Sequence, residues 1–269
     1  MKNELLETPV VIFGMDERTK KLSSFCFEKI GFNKIILLEE EESFSAKMER
    51  FFSLAEDKEY EDVDMFIRSD ADRLVFDGIL DVLLESKKYL DNSDDKMLLS
   101  EGYGFECFMN KLRGATPHVY SSNFMLHVLD NKTSLIQDIQ KPESYIGQYA
   151  KNNLNCFKFY KVLTNLHEFE QYPSKMYNAF LNRIFRGHIS YYPLPAIRAS
   201  EVYGPPMELA LKKAREGTSD RFNTMSYLEI PKELYELDKK INAIEESELL
   251  DYYNLYLESY EKIKKTFMR

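Results

Sequence analysis

The sequence predicts an α/β protein: a central, mostly parallel sheet flanked by helices, with a helical C-terminal extension. Three observations carry this. Short apolar runs alternate with amphipathic stretches over about the first hundred residues. Only 10 Gly and 9 Pro occur among 269 residues, which favours long regular elements over elaborate loops. From Pro231 onward, apolar residues recur at helical spacing.

Taken in order, Pro9-Val10-Val11-Ile12-Phe13-Gly14 is a β-branched apolar run closed by glycine and reads as a buried strand. Residues 18–30 then set Leu22, Phe25, Cys26, Lys29 and Ile30 at helical spacing. Lys34-Ile35-Ile36-Leu37-Leu38 is a second buried strand, ending in the acidic run Glu39 to Glu42. Ser43 is placed to cap a helix through Phe51, Phe52 and Leu54. A third strand, Val63 to Arg68, runs into Ser69-Asp70-Ala71-Asp72. Strand, helix, strand, helix, strand at this spacing specifies a parallel sheet. Such sheets bind ligands at the carboxyl ends of their strands, where Asp16, the glutamate run and Asp70/Asp72 all fall.

The middle is less regular. Beyond a polar, acidic link at 91–96 comes Gly102-Tyr103-Gly104-Phe105-Glu106-Cys107-Phe108. Lys111 to Tyr120 reads as a loop feeding a short strand, 123–139 as helix, and 142–183 as helix broken near Pro173. Arg186 to Pro195 is a turn-and-strand segment, and Glu208 to Arg215 a short helix. Near the end, Leu234, Leu237, Ile241 and Ile244 begin a stripe that Leu249, Tyr252, Tyr253, Tyr256, Tyr260, Ile263 and Phe267 extend. The chain thus divides into a main domain over 1–230 and a helical extension over 231–269. That stripe is expected to pack on the same chain; a homodimer contact or a peripheral membrane contact is the alternative.

Lys and Arg total 36 against 45 Asp and Glu, a net charge of −9. No nucleic-acid partner is expected from that balance, because coating nucleic acid requires a basic face. Hydrophobic residues at 44% supply a core and argue against disorder. The three cysteines, Cys26, Cys107 and Cys156, form no CxxC pair, so neither a zinc knuckle nor a disulfide framework is encoded. The N-terminus lacks a signal-peptide profile, and no apolar run approaches the ~20 residues a bilayer span needs. The expected location is the cytoplasm.

Chemistry concentrates in Arg68-Ser69-Asp70-Ala71-Asp72-Arg73-Leu74-Val75-Phe76-Asp77-Gly78-Ile79. Two carboxylates at i and i+2, at the carboxyl end of a buried strand, suit a hard cation such as Mn²⁺ or Mg²⁺, which completes its shell with water and phosphate oxygens. An acidic sheet edge repels a diphosphate unless such an ion sits there.

Asp70-Ala71-Asp72, followed by Leu74-Val75 and Asp77-Gly78-Ile79, resembles the metal-binding segment of GT-A-fold glycosyltransferases, a Rossmann-like α/β architecture. The pattern is nearest to that of the enzymes related to glycogenin and the bacterial lipopolysaccharide galactosyltransferases. The likeness covers about residues 9 to 85 by element order and some twelve residues by motif. It implies transfer of a sugar from a nucleotide-diphosphate donor to a glycan or polysaccharide acceptor, with Asp70 and Asp72 holding the metal on the diphosphate. It further implies that Phe13, Gly14, Asp16 and Glu39, at the first two strand ends, touch base and ribose. A histidine far along the chain commonly adds a metal ligand in such enzymes. His188, after Gly187 in a Pro-flanked segment, suits this best; His118 is its rival, while His127 and His167 fall inside helical patterns. The motif His-x-x-Gly-x-x-Lys that closes the glycogenin-like pattern is absent around His188.

Glu101 and Glu106, flanking the Gly-Tyr-Gly stretch, are the candidates for a carboxylate that takes the acceptor proton in an inverting reaction. A retaining reaction has no need of one. Arg68, Arg73 and Arg113 are candidate cations for phosphate. Competing readings are a sugar nucleotidyltransferase, which lacks its Gly-rich basic loop here, an Asp-x-Asp phosphohydrolase, and a non-catalytic interaction protein with a degenerate site.

Overall fold

The computed structural model describes residues 2–14, 17–39, 43–106, 111–137, 142–167, 169, 171–177, 181, 231–241 and 243–267. Helix α1 (Lys2–Leu6) leads to β1 (Val10–Phe13), α2 (Lys20–Ile30), β2 (Ile35–Leu38) and α3 (Phe44–Ser53). There follow β3 (Met65–Asp70), β4 (Arg73–Val75), α4 (Gly78–Asp91) and the long strands β5 (Leu99–Glu106) and β6 (Lys111–Ser121). Helices α5 (Ser122–Asp130), α6 (Lys132–Leu135) and α7 (Pro142–Asn152) precede β7 (Phe157–His167). The C-terminal part contributes α8 (Lys232–Asp238) and α9 (Leu249–Phe267).

Local chemistry sets several boundaries. Ser43 Oγ accepts the Ala46 N–H at 3.2 Å and caps α3, as its sequence position predicts. Gly31, at φ 114°, ends α2 in the left-handed conformation that glycine adopts without strain.

The strands form one sheet in the order β2-β1-β3-β6-β5-β7-β4. β1 pairs parallel with β2 and β3, β5 parallel with β7, and β6 and β4 run against their neighbours. Five of the seven strands therefore point one way, the mixed, mostly parallel arrangement expected from the first third of the chain. Alternation along β1 divides the core. Val10 and Ile12 face a layer with Leu22 and Phe27 of α2, Val82 of α4 and Tyr256 of α9. Val11 and Phe13 face one with Phe51 and Phe52 of α3, Phe124 of α5 and Ile146 of α7.

The middle of the chain departs from its sequence reading. Lys111 to Ser121 is a full strand paired with β5, and the expected long helix from 142 stops at Asn152. Asn155 takes a positive φ of 53° and turns the chain. Phe157 to His167 then pairs with β5 and β4 as a strand, its aromatic and β-branched residues suiting a pleated surface. Helix 123–139 is split at Asn131 into α5 and α6. The segments 186–195 and 208–215 lie outside the described residues.

Helix α9 packs in cis. Tyr256 is buried, its ring stacks on Phe76 at 4.6 Å, and its hydroxyl donates to the Val75 carbonyl. Arg18 donates to Tyr252 Oη at 2.6 Å. No helix among the described residues is long and apolar enough to cross a membrane.

Candidate functional site

Register brings the first three strands to a common end: Phe13 lies beside Leu38 on one side and Asp70 on the other. Gly14, Glu39 and the Asp70–Asp72 turn therefore share the carboxyl edge, where β1 passes to β2 on one side and β3 on the other. Ligands of parallel sheets bind at such switch points. The buried Lys47 of α3 donates to the Gly14 carbonyl at 2.7 Å, bringing a cation to this edge. Glu39 is half-exposed and pairs with Lys20 at 2.6 Å. Asp16 lies outside the described residues.

The turn is fixed from below. Ala71 N–H donates to the Phe13 carbonyl at 2.9 Å, Thr19 Oγ1 to the Ala71 carbonyl at 2.9 Å, and Ser23 Oγ to the Arg73 carbonyl at 2.9 Å. The hydroxyls of Thr19, at the N-cap of α2, and of Ser23, one turn on, thus satisfy one carbonyl between the two aspartates and one just beyond them.

Beneath Asp70 lies Arg68, fully buried, its guanidinium 4.6 Å from the Phe13 ring centroid and 5.1 Å from that of Phe44. It donates to Asp70 Oδ1 and meets Glu143 Oε1 of α7 at 2.7 Å. Burial pulls this guanidinium down, but Asp70 and Glu143 outweigh burial and hold it above its ordinary value. Arg68 was expected to meet phosphate; instead it is spent on two carboxylates and two rings, so it positions Asp70. Asp70 Oδ2 accepts from Thr116 Oγ1 at 3.0 Å and faces Arg73 Nε at 3.6 Å. Phe13, likewise expected at the ligand, is buried, and its ring covers Arg68.

Asp72 meets a second set of groups, assembled by β5, β7 and β4. Pairing places Glu106, His167 and Arg73 in one row across the three strands. His167 Nε2 lies 3.2 Å from Asp72 Oδ2, and its Nδ1 lies 2.8 Å from both oxygens of Glu106. A ring with carboxylates at both nitrogens donates to both only as imidazolium. Arg113 Nε reaches Glu106 Oε1 at 2.8 Å, and Arg73 donates to Asn165 Oδ1 at 3.2 Å. Burial opposes ionisation of Asp72, but His167 and Arg73 prevail and hold it down at about 2. Glu106 is likewise held well below the carboxylate range against its burial, by His167, Arg73 and Arg113. Glu106 was expected as a base; fully buried and paired, it lies behind the site and anchors His167.

Glu101 is placed differently. It lines a cleft of about 610 Å³ together with Asp70, Arg73, Arg113, His118 and Glu143. Its Oε2 lies 2.8 Å from His118 Nε2. A Cβ at Gly114 would fall 2.2 Å from Glu101 Oε1, so a larger residue there would displace the Glu101 carboxylate.

Among the described residues, no three His, Cys, Asp or Glu side chains group so as to hold a metal ion, and His188 lies outside them. One atom does suit a cation: Asp72 Oδ1 is buried without a hydrogen-bond partner. Magnesium-type ions take one or two protein carboxylates and complete their shell from phosphate and water, so an Asp72–Asp70 pair is chemically sufficient.

Sequence reasoning found the aspartates but placed His167 in a helix and gave Glu143 and Thr116 no role. The period-2 signal in Phe157-Lys158-Phe159-Tyr160 pointed to a strand there.

No protein-family model matches this chain, and no curated protein matches it. Among solved structures it is similar to the "crystal structure of a glycosyltransferase involved in the glycosylation of the major capsid of PBCV-1". Identity is 13%, covering 59% of this chain and 93% of that chain, with a TM-score of 0.37. The functional reading therefore rests on the chain's own residues.

Proposed function

We propose that the protein is a glycosyltransferase that takes its sugar from a nucleotide-diphosphate donor and uses a divalent cation. The observation that carries this is the Asp70-Ala71-Asp72 turn. It stands at the common carboxyl edge of three parallel strands, its backbone is tied down by Thr19 and Ser23, and its Asp72 Oδ1 is buried without a hydrogen-bond partner.

Asp72, with Asp70 beside it, would hold Mn²⁺ or Mg²⁺ against the diphosphate. The ion would offset negative charge developing on the departing nucleotide. The chain's own groups supply the rest. His167 and Arg68 fix the two carboxylates in place, so little reorganisation is needed when the donor binds. Arg113, half-exposed at the cleft wall, is a cation available to phosphate. Glu101 faces the cleft and in an inverting reaction would accept the acceptor hydroxyl proton. The edge at Gly14 and Glu39 would take the nucleoside.

A panel of nucleotide sugars, assayed for hydrolysis and for thermal stabilisation with Mn²⁺ and with chelator, tests this reading. One donor should be hydrolysed and should raise the melting temperature only with the cation. Absence of both effects across the panel contradicts it.

A further inference from the structure

The cleft continues past Asp70, away from the β1–β3 switch point, and its far floor is aromatic. Strand pairing sets Arg68, His118, Glu101 and Phe159 in a single row across β3, β6, β5 and β7. Residues in one row point to the same face. With strands about 4.8 Å apart, Phe159 lies roughly 14 Å across the sheet from β3, and Glu101 lies between.

Phe159 is 37% exposed at the cleft, yet its ring is held firmly. Tyr103 meets it edge-on at 4.8 Å with planes 79° apart. Gly114 lies directly against it: a Cβ there would fall 3.2 Å from its Cε2. The opposite wall is α7, which lines the cleft with Ser144, Gly147 and Gln148. Gly147 sits inside the helix, where glycine costs about 1 kcal/mol relative to alanine. A Cβ there would meet nothing within 4 Å, so packing does not demand glycine. What glycine leaves is open space at the cleft wall.

From this we infer that the Phe159 end of the cleft is a saccharide subsite, the place of the acceptor. The inference rests on the glycosyltransferase reading for the acceptor role, though not for the binding itself. A rigid aromatic face beside amide and hydroxyl groups matches the chemistry of a sugar ring. The ring's axial C–H bonds lie on the negative face of the phenyl group, and its hydroxyls bond to Gln148 and Ser144. A nucleotide is the poorer occupant, because the switch-point edge lies on the other side of Asp70. With Glu101 between Asp70 and Phe159, an acceptor stacked on Phe159 would present a hydroxyl near the one cleft-facing carboxylate of the row.

The chain contains no tryptophan, so Phe159→Trp installs a single reporter in the subsite. Maltotriose, cellotriose and a β-galactosyl trisaccharide are titrated against its emission, with and without saturating UDP. The unsubstituted chain is titrated in parallel by calorimetry, so a misfolded variant cannot decide the outcome. At least one saccharide should bind both proteins saturably, with UDP leaving the signal intact. Gln148→Ala or Gly147→Gln should weaken that binding about tenfold, the scale of one lost polar or apolar contact. No saccharide binding to either protein, or an emission shift with UDP alone, overturns the proposal. Neither readout uses activity or metal, so a saccharide that binds a chain showing no nucleotide-sugar hydrolysis would contradict only the donor reading.

Discussion

His167 ties together groups from three strands. Its ring lies between Asp72 and Glu106, and it and the neighbouring arginines hold the carboxyl groups of that cluster below their ordinary values against their burial. A buried ion pair contributes little net stability when complete, but breaking it leaves an uncompensated charge. His167→Gln should therefore destabilise the protein by about 3 kcal/mol in urea unfolding. Adding Glu106→Gln should recover part of that loss, because it removes one of the two carboxylates that His167 no longer bonds. Equal stability of the native chain and the single variant contradicts the ion-pair account. The same reasoning explains why this residue escapes a reading of the sequence. Its partners lie 61 and 95 positions away and meet it only through strand register.

At the scale of elements, the site depends on how closely α4 and α9 press the sheet from behind. Helix α4 starts at Gly78, where a Cβ would fall 2.2 Å from the Leu163 carbonyl oxygen of β7 and 2.8 Å from Val162. Neither neighbour is the free end of a flexible side chain. Gly78→Ala should cost about 2 kcal/mol, read as a lower urea midpoint with unchanged slope; a neutral result would mean that α4 slides freely on β7. Tyr256→Phe should cost about 1 kcal/mol, since it removes the hydroxyl donated to Val75 while leaving the ring stack on Phe76. The first three strands and their helices are legible because apolar runs of four to six residues, bounded by Gly, Ser or acidic residues, admit one reading. The β5–β7 region is not. Its strands mix glycine, glutamate and lysine with core residues such as Phe105, Val119 and Leu166, since they line a cleft as well as a core, and their apolar runs are broken accordingly.

Over the whole molecule, the −9 net charge is unevenly spent. Asp70, Asp72, Glu101, Glu106 and Glu143 gather near one edge, matched there by Arg68, Arg73, Arg113, His118 and His167. The aspartate pair was legible from Asp-x-Asp after an apolar strand, and Arg68, Arg73 and Arg113 stood out as candidate cations; that these arginines pair with the carboxylates was not legible, because tertiary pairing alone brings the two sets together. Glu143, like Asp72 and Glu106, is held below its ordinary value; burial opposes this, and Arg68 and His118 overcome it. Carboxylates lowered on folding contribute stability above their unfolded values and lose it as pH falls through the folded ones. The urea midpoint should fall as pH drops below the ordinary glutamate value of 4.5, toward Asp72's value of about 2. A midpoint that rises on acidification below pH 4.5 would contradict the sign of these couplings.

The measurement closest to the central claim is calorimetry of UDP and GDP binding to the native chain and to a cooperatively folded Asp72→Asn variant, each with Mn²⁺ and with chelator. The account predicts that the cation tightens binding of one nucleotide by about tenfold or more in the native chain and has no effect in the variant. Nucleotide affinity that is the same with cation and chelator in the native chain, or a cation effect that survives Asp72→Asn, would contradict it.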